Sequence, residues 1–290
     1  MNMHECNLPP YLAHDLDGRK NLKKWQKIRL HTIHAGRMDY GEGNRNVTVL
    51  AYLFCAEDSY DEAFSRIECA VRETWLHCGT MKTVLVVNVV RPCVESFAAA
   101  FPNVKIQVEK SLVPGRIFTM SADMNGRLHE RFSTPYVLIV QNDGFPLRSG
   151  LDDFVGKWDF IGAPYVRPMW WKQFVCRMMN CWVQNGGFSL RSHDICEQAA
   201  FYWNRKYAAL GDCVNASEDM FYTQFLPLHE RSFRRRFRLA PFSDSISFSY
   251  DAIVPIVAPT VLPFGFHGEK AFKKLLGLSC SSNLIMAGGV

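Results

Sequence analysis

Four short stretches rich in apolar and β-branched residues punctuate the first half of the chain: Val47 to Phe54, Thr83 to Val90, Val104 to Val108 and Tyr136 to Val140. The first, second and fourth are near-continuous apolar runs, expected of strands buried on both faces, as in a parallel sheet, and Val104 to Val108 reads as a further strand. Between them the apolar positions change period. Tyr60, Ala63, Phe64, Ile67, Ala70, Val71 and Trp75 recur at helical spacing, Val94 to Phe101 reads as a short helix, and Ile117, Met120, Met124, Leu128 and Phe132 mark a further helical face. The order β-α-β-α-β-α-β predicts an α/β fold, a mostly parallel open sheet with helices on both faces. Ligands of such sheets bind beyond the carboxyl ends of the strands, so the residues after Phe54, Val90 and Val140 are the first place to look for a site.

The second half is less regular. Phe160 to Pro164 reads as a short strand and turn, residues 168–183 as a loop or flap rich in Trp, Met and Cys, and Phe188 to Leu190 as a strand. A helix follows from about Asp194 to Tyr207, and another starts near Glu218. Residues 1–45 are polar and irregular, with helical character only near Leu22 to Leu30. The organisation expected is an N-terminal arm (1–45), one domain (46–278) and a C-terminal tail (279–290).

Composition changes this picture little. The apolar fraction of 48% and charged fraction of 21% are those of a globular chain and exclude disorder, collagen and coiled coil. Lys and Arg number 33 against 28 Asp and Glu, and the net charge of +5 fits an anionic substrate or surface but does not by itself argue for nucleic acid. The ten cysteines include no pair at zinc-ribbon or thioredoxin spacing, and Cys55, Cys69 and Cys196 lie in apolar runs as small hydrophobes. This predicts a reducing compartment. The first residues carry no secretory signal pattern and the longest apolar stretch is too short to cross a bilayer, so the expected location is cytoplasmic, with at most a peripheral membrane contact.

Four places offer chemistry. Gln141-Asn142-Asp143 follows the fourth strand, where a carboxylate is placed to hold Mg²⁺ or Mn²⁺; the same residues also suit a turn. Asn185-Gly186-Gly187-Phe188-Ser189-Leu190-Arg191 lets backbone approach a ligand, or turns a hairpin. Glu218-Asp219 opens a helix, where acids also serve as caps and dipole partners, and Asn215 with Glu218 has capping-box spacing. His267, between Phe266 and Gly268, offers an imidazole ligand for Mn²⁺ or Zn²⁺, or is a plain structural histidine. Five arginines in 231–238 form a solvated basic face or a contact for phosphate or an anionic leaflet. Trp158, Trp170, Trp171 and Trp182 are candidates for stacking on sugar rings.

Taken in order, Gln-Asn-Asp-Gly at 141–144, Trp-Asp-Phe-Ile-Gly-Ala-Pro at 158–164, Asn-Gly-Gly-Phe-Ser-Leu-Arg at 185–191, Glu218-Asp219 and Phe-Gly-Phe-His-Gly at 264–268 resemble a family of uncharacterised GT-A-type glycosyltransferases, over about residues 47–270. The resemblance implies a GT-A-like fold, a nucleotide-sugar donor and a glycan or other hydroxyl acceptor. It implies donor contacts from Phe54, Arg116, Asn125, Gln141, Asn142 and Asp143, and acceptor contacts from Trp182, Asn185, Gly186 and Gly187. Asp143 and His267 would hold a divalent metal, Mn²⁺ or Mg²⁺. Asp219, paired with Glu218, would be the base of an inverting transfer. Gln141 stands where the family pattern has the first carboxylate of Asp-x-Asp, which weakens the expected metal and ribose contacts. The rival expectations are a catalytically silent nucleotide- or carbohydrate-binding protein on the same fold and, with no supporting motif, a nucleic-acid binder using the arginine run.

Overall fold

The computed structural model describes residues 22–23, 25–27, 29–30, 40–165, 183–208, 217–251 and 261–275. Most of the expected arm, the flap with Trp170, Trp171 and Trp182, the capping residue Asn215 and the tail lie outside them.

The strands follow the apolar runs. β1 (Val47–Leu53), β2 (Lys82–Val87), β3 (Val104–Val108) and β4 (Tyr136–Val140) are mutually parallel, and β6 (Phe160–Tyr165) and β7 (Val183–Ser192) complete a six-stranded sheet of order β3-β2-β1-β4-β7-β6. Register is set by burial: Val49 lies opposite Thr83 and Leu138, and Ala51 opposite Leu85 and Val140. β1 is buried throughout, so its side chains split by period two. Val47, Val49, Ala51 and Leu53 face one core, with Phe64, Val71 and Trp75 of α1 (Tyr60–Cys78) and Phe97 of α2 (Pro92–Ala100). Leu50 and Tyr52 face the other, with Met120 and Met124 of α3 (Ile117–Arg127) and Ile195 and Ala199 of α4 (His193–Tyr202). The expected α/β architecture, a mostly parallel open sheet covered by helices on both faces, is the one observed. β3 is an edge strand, and Lys105 is exposed there.

The helices end where local chemistry requires. Pro92 opens α2, Gly79 at φ +77° terminates α1, and the Ser192 hydroxyl accepts from Ile195 N–H at 3.2 Å to cap α4. A short helix α5 (Glu218–Met220) runs into a wide π turn at Phe221–Phe225 and then α6 (Leu226–His229), α7 (Arg231–Arg236) and α8 (Phe242–Phe248).

Three features depart from the sequence reading. Asn185-Gly186-Gly187 lies inside a ten-residue strand rather than before one, and the β6–β7 register shifts between Gly162 and Ala163 to absorb the extra residues. A second sheet, order β5-β9-β8, joins β5 (Gly144–Pro146), β9 (Gly265–His267) and β8 (Ser249–Asp251). It rests on a third core containing Trp25, Phe145, Phe266 and Phe272. Trp158 is no stacking platform: it packs against the first core at the opposite end of β6, and its indole N–H donates to Asp244 at 2.9 Å.

Candidate functional site

Beyond the carboxyl end of β4 the chain turns tightly. Gln141 N–H donates to Gly144 C=O at 2.9 Å and Gly144 N–H returns the bond at 3.1 Å, leaving Asn142 and Asp143 at the apex. The turn is tied down from two sides. Gln26 Nε2 donates to Asn142 C=O at 2.5 Å, and Gly268 N–H donates to Asp143 C=O at 2.7 Å. Because β5 leaves this turn directly and pairs with β9, Gly144 stands opposite His267, and His267 opposite Asp251 of β8.

That row assembles a polar cluster. His267 Nδ1 lies 3.2 Å from Asp251 Oδ2, which also accepts from Asn185 Nδ2 at 3.1 Å. Asn185 Oδ1 in turn accepts from Gly187 N–H at 2.7 Å. The other ring nitrogen, Nε2, is 3.3 Å from Gln141 Oε1 and 3.8 Å from Asp143 Oδ1. Asp251 is only 3% exposed, whereas the Asp143 side chain is 29% exposed and open to a ligand. Burial disfavours a charged His267, but the Asp251 hydrogen bond and the charges of Asp143, Asp251 and Glu218 outweigh it and hold the imidazole above its ordinary value.

Gly186 and Gly187 separate this cluster from a second one. A Cβ at Gly187 would overlap the His267 ring and lie 2.6 Å from Gln141 Oε1. A Cβ at Gly186 would overlap the Glu218 carboxylate and lie 2.6 Å from Arg191 Nη2. The glycines are therefore required by close approach of side chains on both sides, and neither has a positive φ. Glu218 is buried. Its Oε2 accepts from Ser121 Oγ at 3.1 Å and its Oε1 faces Arg191 Nη2 at 3.8 Å. Burial and the neighbouring Asp219 raise the Glu218 carboxyl, against the pull of Arg191. Arg191, fully buried, also donates to Gly186 C=O at 3.2 Å and to Ser189 Oγ at 3.1 Å, and its guanidinium lies over Phe160 and Tyr222 at 4.9 and 4.8 Å. Asp219 is part-exposed, with Oδ1 accepting from Met220 N–H at 2.6 Å. Ser217 is the N-cap of α5, so Glu218 stands at its first helical position, with its carboxylate accepting from Ser121 of α3 and facing Arg191 of β7.

The structure accordingly gathers Gln141, Asp143, Asn185, Gly186, Gly187, Glu218 and His267 at one edge of the sheet, with Asp219 next to Glu218 and Asn142 carrying the turn. Asn125 is fully buried in α3, and both its amide atoms lack hydrogen-bond partners among the described residues. It lies one turn beyond Ser121, the residue that bonds Glu218. Phe54 is part-buried just past β1 and packs on the second core. Arg116 is exposed at the start of α3. Trp182 lies outside the described residues. Asp251, Arg191 and Ser121 join the cluster without having been singled out from the sequence. Arg191 was legible only as the end of the Asn-Gly-Gly block, and Asp251, in Ser-Tyr-Asp, carries no pattern.

The donor set fits a divalent cation. A neutral His267 that donates its Nδ1–H to Asp251 turns its Nε2 lone pair toward Asp143 and Gln141, the arrangement by which a buried carboxylate orients a ligating imidazole. A mixed set of carboxylate oxygen and imidazole nitrogen suits Mn²⁺ better than Mg²⁺, which takes oxygen donors. Among the described residues, the one trio of His, Cys, Asp or Glu whose ligand atoms all lie within 4.8 Å is a different one, His193, Asp194 and Glu197 on the first turns of α4. His193 N–H bonds Pro135 C=O, so that trio sits at the opposite end of β4 from Asp143.

Comparison with known proteins gives three findings. Residues 117–267, which hold nearly all of this cluster, match the family described as "Protein of unknown function (DUF5672)". None of the curated proteins matches the chain. A solved mannosyltransferase, PcManGT from Pyrobaculum calidifontis in complex with GDP-Man and Mn2+, aligns at 12% identity and a TM-score of 0.38, over 76% of this chain and 62% of that one, a likeness too distant to carry an inference.

Proposed function

The chain belongs to the DUF5672 family, and on that premise we propose that it is a nucleotide-sugar-dependent glycosyltransferase, metal-assisted and inverting, with residues 46–278 as its catalytic unit. The family description assigns no activity, so the reading rests on one observation: Asp143, His267 and Glu218-Asp219, far apart in the chain, meet across Gly186-Gly187 at the carboxyl edge of a parallel sheet. The sequence resemblance stated above points the same way.

Asp143 and His267 would hold the cation, whose charge would stabilise the departing diphosphate. Asp251 keeps the His267 ring in place through Nδ1, and Asn185 fixes Asp251. Gln141, Asn142, Asn125, Arg116 and Phe54 are assigned to the donor side; Asn185, Gly186, Gly187 and Trp182 to the acceptor. Asp219 is the better base of the acidic pair. It is part-exposed and one of its oxygens is engaged, so an acceptor hydroxyl can approach the other. Glu218 has both oxygens turned to Ser121 and Arg191 and no open face. A carboxylate within about 3 Å of the hydroxyl removes its proton as the new bond forms, worth about 10² to 10⁴ in rate.

Isothermal titration with UDP- and GDP-sugars, with and without Mn²⁺, paired with a donor-hydrolysis assay, tests the reading. Asp219→Asn should keep donor binding and lose turnover. Undiminished turnover in that variant refutes the base assignment, and the absence of any sugar-nucleotide binding refutes the function. Gln141 favours a second reading, a silent binding protein, because its amide oxygen sits 3.3 Å from the imidazole nitrogen where a second carboxylate is expected. Binding without any hydrolysis or transfer would decide for it.

A further inference from the structure

The large apolar side chains exposed among the described residues are Val89, Val108, Val113, Ile117, Phe118, Phe201, Leu228 and Val261. Val89 and Val108 stand at neighbouring strand ends, and Val113, Ile117 and Phe118 follow on the segment that leaves β3 and enters α3. Val87 and Val108, the last residues of β2 and β3, are paired, so Val89 and the segment from Val108 leave the sheet side by side. From Lys110 to Phe118 only Leu112 turns wholly inward, while Ile117 is 69% exposed. This is a built loop. Leu112 N–H bonds Glu109 C=O at 3.2 Å, Arg116 N–H bonds Val113 C=O at 3.0 Å, and the Thr119 hydroxyl bridges Arg116 C=O and Val113 N–H. Its root is clamped by Glu109, whose carboxylate accepts from Arg127 at 2.6 Å and Arg131 at 2.7 Å.

The charge on this loop is one-sided. Glu109 is its one acid, and that carboxylate is turned inward. The outward charges are Lys110 and Arg116, on either side of Val113 and directly before Ile117 and Phe118. Exposed apolar side chains of this size, grouped on one edge, mark an interaction surface rather than ordinary scatter. Apolar tips flanked by cations match a membrane interface, where the former enter the acyl boundary and the latter meet anionic headgroups.

We infer that residues 108–118 dock the chain on an anionic lipid surface. The loop leaves the same sheet edge as Gln141-Asn142-Asp143, so docking turns the candidate site toward the bilayer. No helix of the described residues is long and apolar enough to cross a membrane, and the contact is therefore peripheral. The inference does not depend on the proposed transferase activity, and its readout is physical binding.

The full chain is sedimented with vesicles of phosphatidylcholine alone and of phosphatidylcholine with phosphatidylserine, circular dichroism confirming that each variant is folded. The wild type should bind the mixed vesicles. Ile117→Asp with Phe118→Asp should abolish binding, and Lys110→Gln, which leaves the residues assigned to the donor untouched, should weaken it roughly 5-fold, from about 1 kcal/mol for one cation. Ile117→Trp should shift its emission to the blue on adding vesicles, whereas Phe201→Asp, on a separate exposed site, should bind as the wild type does. Absence of binding to either vesicle overturns the inference. So does binding that survives the loop variants but is lost on Arg231→Gln with Arg234→Gln and Arg235→Gln, which moves the contact to α7 at the other end of the sheet.

Discussion

Replacing Arg191 by Met removes the cation on which the buried side of the site depends. The guanidinium lies 3.8 Å from Glu218 Oε1, and both side chains are withdrawn from water. At an effective dielectric constant of about 20 that separation corresponds to about 4 kcal/mol of attraction. Methionine preserves much of the apolar stem between Phe160 and Tyr222, so the loss is chiefly the charge and the bond to Gly186 C=O. Arg191→Met should lower stability by about 3–5 kcal/mol, because it leaves an uncompensated carboxylate inside. Adding Glu218→Gln should restore part of this, with a coupling of about 2 kcal/mol in a double-mutant cycle from urea denaturation.

The same pair sets a pH dependence. Glu218 already has a raised carboxyl in the folded chain. The native state then holds that proton more tightly than the unfolded one, so Glu218's contribution falls as pH rises from the ordinary glutamate range through its folded value. Arg191→Met should carry this fall to higher pH, and Glu218→Gln should remove it. Strictly additive single-variant effects, with no change in pH profile, would show that Arg191 supports the fold through packing alone and refute this electrostatic account.

Gly187→Ala should abolish Mn²⁺ binding by displacing His267 and Gln141 and cost about 1–3 kcal/mol of stability from overpacking, checked by titration calorimetry and denaturation; normal affinity would remove Gly187 from the site. Asp251→Asn should weaken Mn²⁺ binding by about 10- to 100-fold while the melting transition stays cooperative, since Asp251 acts through the His267 ring. Acid should destabilise the chain in two stages. Burial pushes His77 from 6.5 down to about 4, so its share of stability is lost as pH falls between those values. Glu109 is held at about 2 from 4.5 by Arg131, Ser111 and Arg127 despite its burial, so its share, about 3 kcal/mol, is lost as pH falls from 4.5 toward about 2. Denaturation across pH should show the upper stage vanish in His77→Phe and the lower in Glu109→Gln.

The first half of the fold was legible because β1, β2 and β4 are buried on both faces, and such strands show as apolar runs whatever their neighbours, while the edge strand β3 shows as the alternation Val104-Lys105-Ile106-Gln107-Val108. β7 was misplaced for a physical reason. Gly186 and Gly187 are glycines to admit Glu218 and His267, and contacts so distant in sequence look, locally, like a turn. β8 and β9 are three residues each, too short for period two to register, and with them went Asp251. The order of the motifs led to the expectation that residues 143, 219 and 267 share one pocket; the carboxylate that reaches Gly186 and Arg191 is that of Glu218, with Asp219 its neighbour in the chain. Which acid is open and which is enclosed was not legible, because that depends on Ser121 and Arg191 reaching Glu218 from other elements.

The rung Gly144–His267–Asp251 makes strand register and site geometry a single constraint. A slip of β9 by one residue would bring Phe266 or Gly268 to the place of the imidazole and turn its ring to the opposite face. Misalignment of this small sheet therefore cannot be silent. A ligand held by Asp143 and His267 would act as a clasp across β5 and β9, and the backbone amides of those strands should exchange with deuterium more slowly in its presence, while β3 at the far edge of the main sheet keeps its own pace.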